Sequence, residues 1–521
     1  MYSSKDSERL GFLYKTEDEP KRISINSFCM ANNVSYTVFN DSICFYDNFL
    51  EFFSVKVGLI AEMYYICCVL MVKYNMIESL SVTNYYCFKE RTTIFFTAGK
   101  ERNRVSDNSF CGFTTINKIN ILKLIYLLGN NGAGKSKILS AFSALKYLVT
   151  TIRERKDEIL QHRPFAFDET CTNSPSIIEL IYHINEKRYS YIIKWNKEAI
   201  LEERLQEIKP RITIELFNRW YDEEIDVTIV EFMAQMKISE NENYIINSSL
   251  LKNNSVLSTI INTNISHSVL KEHMTFFMNG FEIMELEDID LDEDLPGENT
   301  HHDKQLKRVI SSFLQSVDTN IMSYEKLKID VKYPQELLQH IKTLPDKEQT
   351  KFRIMLRMDE DKHTINTFHR LEKNTGNRRC RLPLSEQSEG TKEILRLLII
   401  LNEAIEKKKT IILDDYSSGI QRNTLNQLLK FFLASSTESQ LIISTQDYSL
   451  LDFDLIRRDS IRFLIKNDYA EASVEPIKLS LLHKNSSLRH YVSKMNVYKQ
   501  LPQMNDELFN ELLHIYKTIK S

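Results

Sequence analysis

The chain has 521 residues, 42% of them apolar, enough for a large core and, at ~150 residues per domain, for two or three domains. Its 67 basic and 71 acidic side chains give a formal net charge of −4, which excludes a bulk cationic surface for nucleic acid but not a local patch. Eight cysteines, at positions 29, 44, 67, 68, 87, 111, 171 and 380, form no CxxC pair. That spacing argues against a zinc site, and free thiols fit a reducing cytoplasm.

The N-terminus lacks the charged, apolar, small-residue order of a secretory leader. The segment Val57–Val72, VGLIAEMYYICCVLMV, is apolar but carries Glu62. It is shorter than the roughly 20 residues of a spanning helix, so no membrane span is expected. Residues 1–75 show neither a helical nor a strand period, and a new start is visible at Met76. Two readings of residues 1–75 stand: an extension upstream of a natural start at Met76, or a genuine N-terminal appendage.

From Met76, MIESLSVTNYYCFKERTTIFF predicts two opening strands, around Ile77–Val82 and Thr92–Phe96. The apolar run Ile119–Leu128 predicts a strand that ends at GNNGAGKS, Gly129–Ser136. Beyond it, Ile138, Phe142, Leu145, Val149 and Ile152 recur at helical spacing. RERKDE, Arg153–Glu158, mixes signs like a solvated helix face. Residues 176–205 alternate as antiparallel strands. Residues 206–345 combine helical periodicity with the acidic run Glu285–Asp294 and hold no sustained heptads, which predicts a mainly helical insertion. Within it, Asp288, Asp290 and Asp292 mimic a calcium loop, but Glu293 and Asn299 replace the Gly and Glu that such a loop needs. A solvated acidic loop is expected there, and a surface loop at His301–His302.

Residues 351–370 predict a β-hairpin. PLSEQSEG then leads into the helix TKEILRLLIILNEAI, the strand TIILDDY, a helix over about 423–433 and the strand LIISTQD. Strands alternating with helices indicate an α/β sheet. The expected partition is 1–75 as an extension, 76–205 as a first lobe, 206–345 as the insertion and 346–521 as a second lobe.

Gly129–Ser136 matches GxxxxGK[ST] without a gap, between a predicted strand and a predicted helix. Glycines let the backbone N–H groups of Gly129, Asn130, Asn131, Gly132, Ala133 and Gly134 curl toward phosphate oxygens. Lys135 supplies a point charge to the β- and γ-phosphates of ATP, the Ser136 hydroxyl reaches Mg²⁺, and the helix start adds its positive end. Glycine usage agrees: the chain holds only 12, against a ~7% average, and Gly129, Gly132, Gly134, Gly390 and Gly419 fall in the proposed nucleotide motifs. TIILDD is an apolar strand ending in two carboxylates, as in a Walker B element. Asp414 would hold Mg²⁺, and Asp415 stands where a general base orients the attacking water.

MIESLSVTNYYCFKE, PFAFDETCTNSPSIIEL, LPLSEQSEGTKEIL, DDYSSGIQ, STQDYSLLD and IRRDSIRFLIKND occur in this order around those motifs. Together they resemble the ABC-type, AAA family ATP-binding proteins related to the RecF, SMC and OLD ATPases. Within that group they are most similar to ATPases of abortive-infection and phage-defence loci, of the AbiL and PARIS AriA type. The resemblance runs from Met76 to about residue 500. It implies an α/β, P-loop ABC-type ATPase head with an antiparallel β subdomain and the helical insertion. It also implies a head-to-tail dimer or higher oligomer in which Ser388, Gly390 and Thr391 of one copy contact the γ-phosphate held by another. Read on its own chemistry, Ser388 or Thr391 is an ordinary helix cap.

The chain departs from the family pattern at two places. Asp415 replaces the usual Glu, and Gln446 replaces the usual switch-loop His and cannot carry a proton as imidazole does. Intact ATP binding with slow or triggered hydrolysis is therefore expected. Roughly 70 residues follow the switch loop, fewer than the ~100 of a further nuclease domain, so any cutting is expected from a partner. Three functions compete: a cytoplasmic ATPase switch that holds an effector nuclease or toxin, a DNA-engaging ATPase, and a nucleotide-dependent scaffold with little turnover. The near-neutral charge and the lack of long arms favour the first.

Overall fold

A computed structural model of the chain describes residues 11–15, 20–24, 35–39, 42–46, 75–99, 112–261, 263–317, 320–329, 363–371, 379–414, 419–452, 457–476 and 515. The apolar segment 57–72, Asp415 and the first half of the hairpin predicted at 351–370 lie outside them. The chain divides into two units, Met1–Val72 and Lys73–Ser521. The first contains two hairpins, Gly11–Lys15 with Pro20–Ser24 and Ser35–Phe39 with Ser42–Tyr46.

The second unit is built on two large sheets. One is antiparallel, in the order Val227–Phe232, Thr213–Asp222, Ile200–Ile208, Lys187–Trp195, Ser176–Ile184, Asn75–Thr83, Thr92–Phe95. The other runs Phe281–Met284, Thr410–Leu413, Gln440–Thr445, Leu124–Gly129, Ile461–Lys466, Ala472–Pro476. Its first five strands are parallel and the last is antiparallel.

Helix α1, Lys135–Thr150, fills the space between the sheets. Its Ile138, Phe142, Leu145 and Val149 share one core with Leu80, Leu180 and Tyr191 of the antiparallel sheet and Ile125, Leu127, Ile412 and Ile442 of the parallel sheet. The alternate residues Leu124, Tyr126, Leu128, Ile411, Leu413, Leu441 and Ile443 form a second core on the opposite face. Strands covered on both faces read as continuous apolar runs, which is why these were visible in the sequence.

Helices predominate from Glu240 to Val317: α2 (Glu240–Ser249), α3 (Val256–Ile261), α4 (Ser268–Thr275) and α5 (His301–Val317). α6 (Glu389–Glu406) and α7 (Arg422–Ser435) cover the second face of the parallel sheet. A three-stranded sheet carries His363–Arg370 between Ile321–Lys328 and Arg379–Pro383, so the second half of the predicted hairpin is a central strand.

Several expectations are corrected. The run Ile119–Leu128 is two strands: Ile119–Leu122 pairs with Phe113–Ile116, and Leu124–Gly129 enters the parallel sheet. Lys123 breaks it, buried with its ammonium donating to Ser436 O at 2.6 Å. The antiparallel sheet continues to Phe232, past the expected edge of the helical segment. Past that edge, Arg219 is buried beside Phe217 and opposite Glu203, and this buried charge hides the strand period of Thr213–Asp222. Phe281–Met284, also in that segment, is an edge strand of the parallel sheet. Arg153–Glu158 is not helical, since α1 ends at Thr150. Arg153 is buried and donates from its guanidinium to Asn253 O at 3.1 Å. His301–His302 is the first turn of α5, with His302 paired to Glu406 at 2.7 Å. No described helix is long and apolar enough to cross a membrane.

Candidate functional site

Three parallel strands end side by side. Leu124–Gly129 runs into the glycine loop, Thr410–Leu413 delivers Asp414, and Gln440–Thr445 between them delivers Gln446. The carboxyl edge of a parallel sheet is where open α/β folds bind ligands. Among the described residues, the sequence-derived candidates Gly129–Ser136, Asp414 and Gln446 therefore meet at one edge.

The loop has the shape its glycines permit. Gly132 and Gly134 sit at φ +79° and +102°, left-handed conformations that cost a side chain strain. At Gly129 a Cβ would lie 2.7 Å from Leu464 O, and at Gly134 it would lie 2.8 Å from Cys87 Sγ. Ala133 is buried, while Asn131, Gly132 and Ser136 are exposed. The Lys135 ammonium donates to Gly129 O at 2.8 Å and Asn130 O at 3.2 Å.

Helix α1 starts at Gly134 with no side-chain cap and no acidic residue in its first turn. Its first N–H groups and dipole are thus met by no carboxylate or hydroxyl of the helix's own start. The donor set fits a polyphosphate: a curled glycine backbone, a helix start without a cap, and a lysine and a serine in its first turn.

The Asp414 N–H donates to Met284 O at 3.1 Å, and the Ser444 hydroxyl donates to Asp414 Oδ1. A hydroxyl and a carboxylate, Ser136 and Asp414, are suitable oxygen donors for Mg²⁺. Gln446 is exposed directly after buried Thr445. Just beyond, the Tyr448 hydroxyl donates to Asn130 Oδ1 at 3.1 Å.

The signature candidates sit at the start of α6. Ser388 is exposed and caps the helix, accepting from the Thr391 N–H at 3.2 Å. Thr391 is buried, with its hydroxyl 2.9 Å from that of Ser388, so the cap reading of these residues holds within one copy. Gly390 packs against the backbone of Gly419, where a Cβ would fall 2.9 Å from Gly419 O. These two glycines bring the start of α6 against the backbone at Gly419.

Sequence reasoning missed the supports. Asn84, at φ +49°, donates to Cys171 O at 2.8 Å and Ser174 O at 2.9 Å, and accepts from the Phe165 N–H at 3.0 Å. It pins the segment Phe165–Ser174 to the turn whose Cys87 and Phe88 lie beneath Gly134. In that turn burial pushes the Tyr85 phenol up to about 12, and its hydroxyl donates to Ser140 O at 3.1 Å. Burial also raises the Cys87 thiol above its ordinary value, which keeps it protonated at neutral pH. The one sequence signal for Ser444 was a hydroxyl at the end of a buried apolar strand.

No curated protein matches the chain. Among solved structures it is similar to the "SMC head domain from Thermotoga maritima", at 12% identity and a TM-score of 0.37, covering 77% of this chain and 99% of that one. It is also similar to the "SmcHead bound to the C-winged helix domain of ScpA", at 11% identity and a TM-score of 0.32, covering 78% and 99%. Residues 124–452, more than half of the chain and spanning the glycine loop, Asp414 and Gln446, match the family described as "AAA domain, putative AbiEii toxin, Type IV TA system". The chain belongs to that AAA domain family.

Proposed function

We propose that the chain is an ATPase that binds Mg-ATP on the loop Gly129–Ser136 and uses the bound nucleotide to switch its own assembly and a partner effector. The observation that carries this is the start of α1, without cap or acidic residue, behind two glycines at positive φ on the sheet edge that also bears Asp414 and Gln446. Lys135 and the loop N–H groups would hold the phosphates, with Ser136 and Asp414 holding Mg²⁺. The metal supplies charge neutralisation on the phosphate oxygens.

The remaining roles belong to the chain itself. Ser444 fixes one carboxylate oxygen of Asp414 by donating to it. Gln446 offers an amide to a γ-phosphate or water without taking its proton. Asp415 orients water with a carboxylate one methylene shorter than Glu. Slow or triggered turnover follows from this pair. Ser388, Gly390 and Thr391 of a second copy complete the cage, with Ser388 the exposed group of the three. The effector is a nuclease or toxin, in the context of anti-phage defence.

Titration of the full chain with Mg-ATP, with light scattering of the same samples, tests the reading. Lys135→Ala is expected to weaken ATP at least ~10-fold, the worth of a charged hydrogen bond. Ser388→Ala should leave ATP affinity alone and reduce ATP-dependent self-association. Undiminished ATP binding by Lys135→Ala would overturn the assignment of the loop.

A further inference from the structure

We propose that Tyr448 is a positioning residue for the γ-phosphate end of this site, acting through Asn130. The proposal deepens the nucleotide reading and rests on it. Three features define the geometry. First, the Tyr448 hydroxyl donates to Asn130 Oδ1 at 3.1 Å, joining the turn after Gln446 to the glycine loop. Second, the carbonyl of that same Asn130 holds the Lys135 ammonium at 3.2 Å. Third, the turn is braced from both ends. Thr445 Oγ1 accepts from the Asp447 N–H at 3.1 Å, Asp447 Oδ1 accepts from the Ser449 N–H at 2.8 Å, and Arg422 donates to Ser449 O at 2.8 Å.

Leu450 and Leu451 are buried and anchor the far side of the turn. The half-buried Tyr448 ring packs against the same core, and Tyr448→Phe keeps that ring while removing the hydroxyl. What the hydroxyl adds is a fixed distance between the loop and Gln446, two residues away. Asn130 also lies at the strand end of the loop, away from the Gly134–Ser136 amides that begin α1. A change at Tyr448 should thus be felt where Lys135 and Gln446 converge on a terminal phosphate, and not where the helix start holds the phosphate before it. Arg422 gives the turn a second attachment. It opens α7, just after Gly419, the glycine against which the signature helix packs.

The test compares two Mg²⁺-bound nucleotides by calorimetry on the full chain: ADP and an ATP analogue with an imido group bridging the β- and γ-phosphates. Neither depends on turnover. Tyr448→Phe and Asn130→Ala should each weaken the triphosphate analogue about five-fold, the worth of one neutral hydrogen bond, and leave ADP within about two-fold. The double variant should be no weaker than either single one, because both remove the same bond. Thermal midpoints of Tyr448→Phe and wild type should coincide. Equal weakening of both nucleotides, no weakening of either, or additive losses in the double variant would each overturn the positioning role. If Lys135→Ala binds both nucleotides as wild type does, the nucleotide reading itself falls, and that outcome is distinct from a failure at Tyr448.

Discussion

At the scale of single residues, the two left-handed glycines of the loop differ in what surrounds them. A methyl group at Gly132 meets no atom within 4 Å, so its cost is the strain of a left-handed alanine, about 1–2 kcal/mol. At Gly134 the same strain is joined by a contact 2.8 Å from Cys87 Sγ and another 3.3 Å from Phe88 Cζ. Overpacking of a filled site adds about 1–3 kcal/mol. Gly134→Ala should therefore lose ~2–5 kcal/mol in urea unfolding and Gly132→Ala ~1–2 kcal/mol. Cys87→Ala should recover part of the first loss and none of the second. Equal losses at the two glycines would refute the role given to Cys87. The glycine loop was legible from residue types because the required backbone admits few alternatives. Ser444, Tyr448 and Asn84 were not, since each acts on a partner far along the chain and a lone polar residue carries no spacing signal.

At the scale of elements, two sheets must be held in register across α1. Gln440 performs much of this at the start of its strand. It is fully buried, donates to Ile77 O and Leu122 O at 3.0 Å each, and accepts from the Ile77 N–H and the Thr410 hydroxyl at 3.1 Å each. One side chain thus joins the antiparallel sheet, the short hairpin and the Asp414 strand. Gln440→Ala would strand these groups without water, at about 1–3 kcal/mol for each group left unpaired. With partial relaxation the expected loss is ~3–5 kcal/mol in the unfolding midpoint series, a size reserved for broken buried networks. A loss under 1 kcal/mol, the level of an ordinary surface change, would show that the hub is dispensable. Such residues also explain the limits of reading elements from sequence. The central strands, buried on both faces, announced themselves. Lys123, Arg153 and Arg219 are charged yet buried, so residue type misled in each place: Lys123 divides one apolar run, Arg153 reads as a solvated face, and Arg219 masks the strand Thr213–Asp222.

At the scale of the whole molecule, buried titratable groups set the pH range over which the fold persists. His273 is fully buried against the rings of Tyr182 and Tyr189, with the Tyr182 hydroxyl 2.7 Å from its Nδ1. Burial, helped by the charge of Lys187, lowers its pKa to about 3. In the unfolded chain it titrates near 6.5. Between those values the unfolded state takes up a proton that the folded state refuses, so His273 stabilises the fold above pH 6.5 and loses that contribution as pH falls toward 3. Glu78 reinforces the trend at the acid end. Burial raises its pKa, but hydrogen bonds from His183 and Arg188 outweigh burial and hold it below the ordinary carboxylate value. Glu203 slopes the other way, since burial raises it. On the alkaline side Tyr85, pushed to about 12, keeps its contribution below pH 10 and loses it between 10 and 12. The His273 contribution is isolated by comparison with His273→Gln, which leaves Tyr182 a hydrogen-bond partner. Wild-type unfolding free energy should fall by about 1.4 kcal/mol per pH unit more steeply than that of the variant between pH 6 and 4.5. Parallel slopes for the two proteins in that window would mean that the imidazole is protonated within the fold, and the aromatic cage around it would have to open to admit the charge.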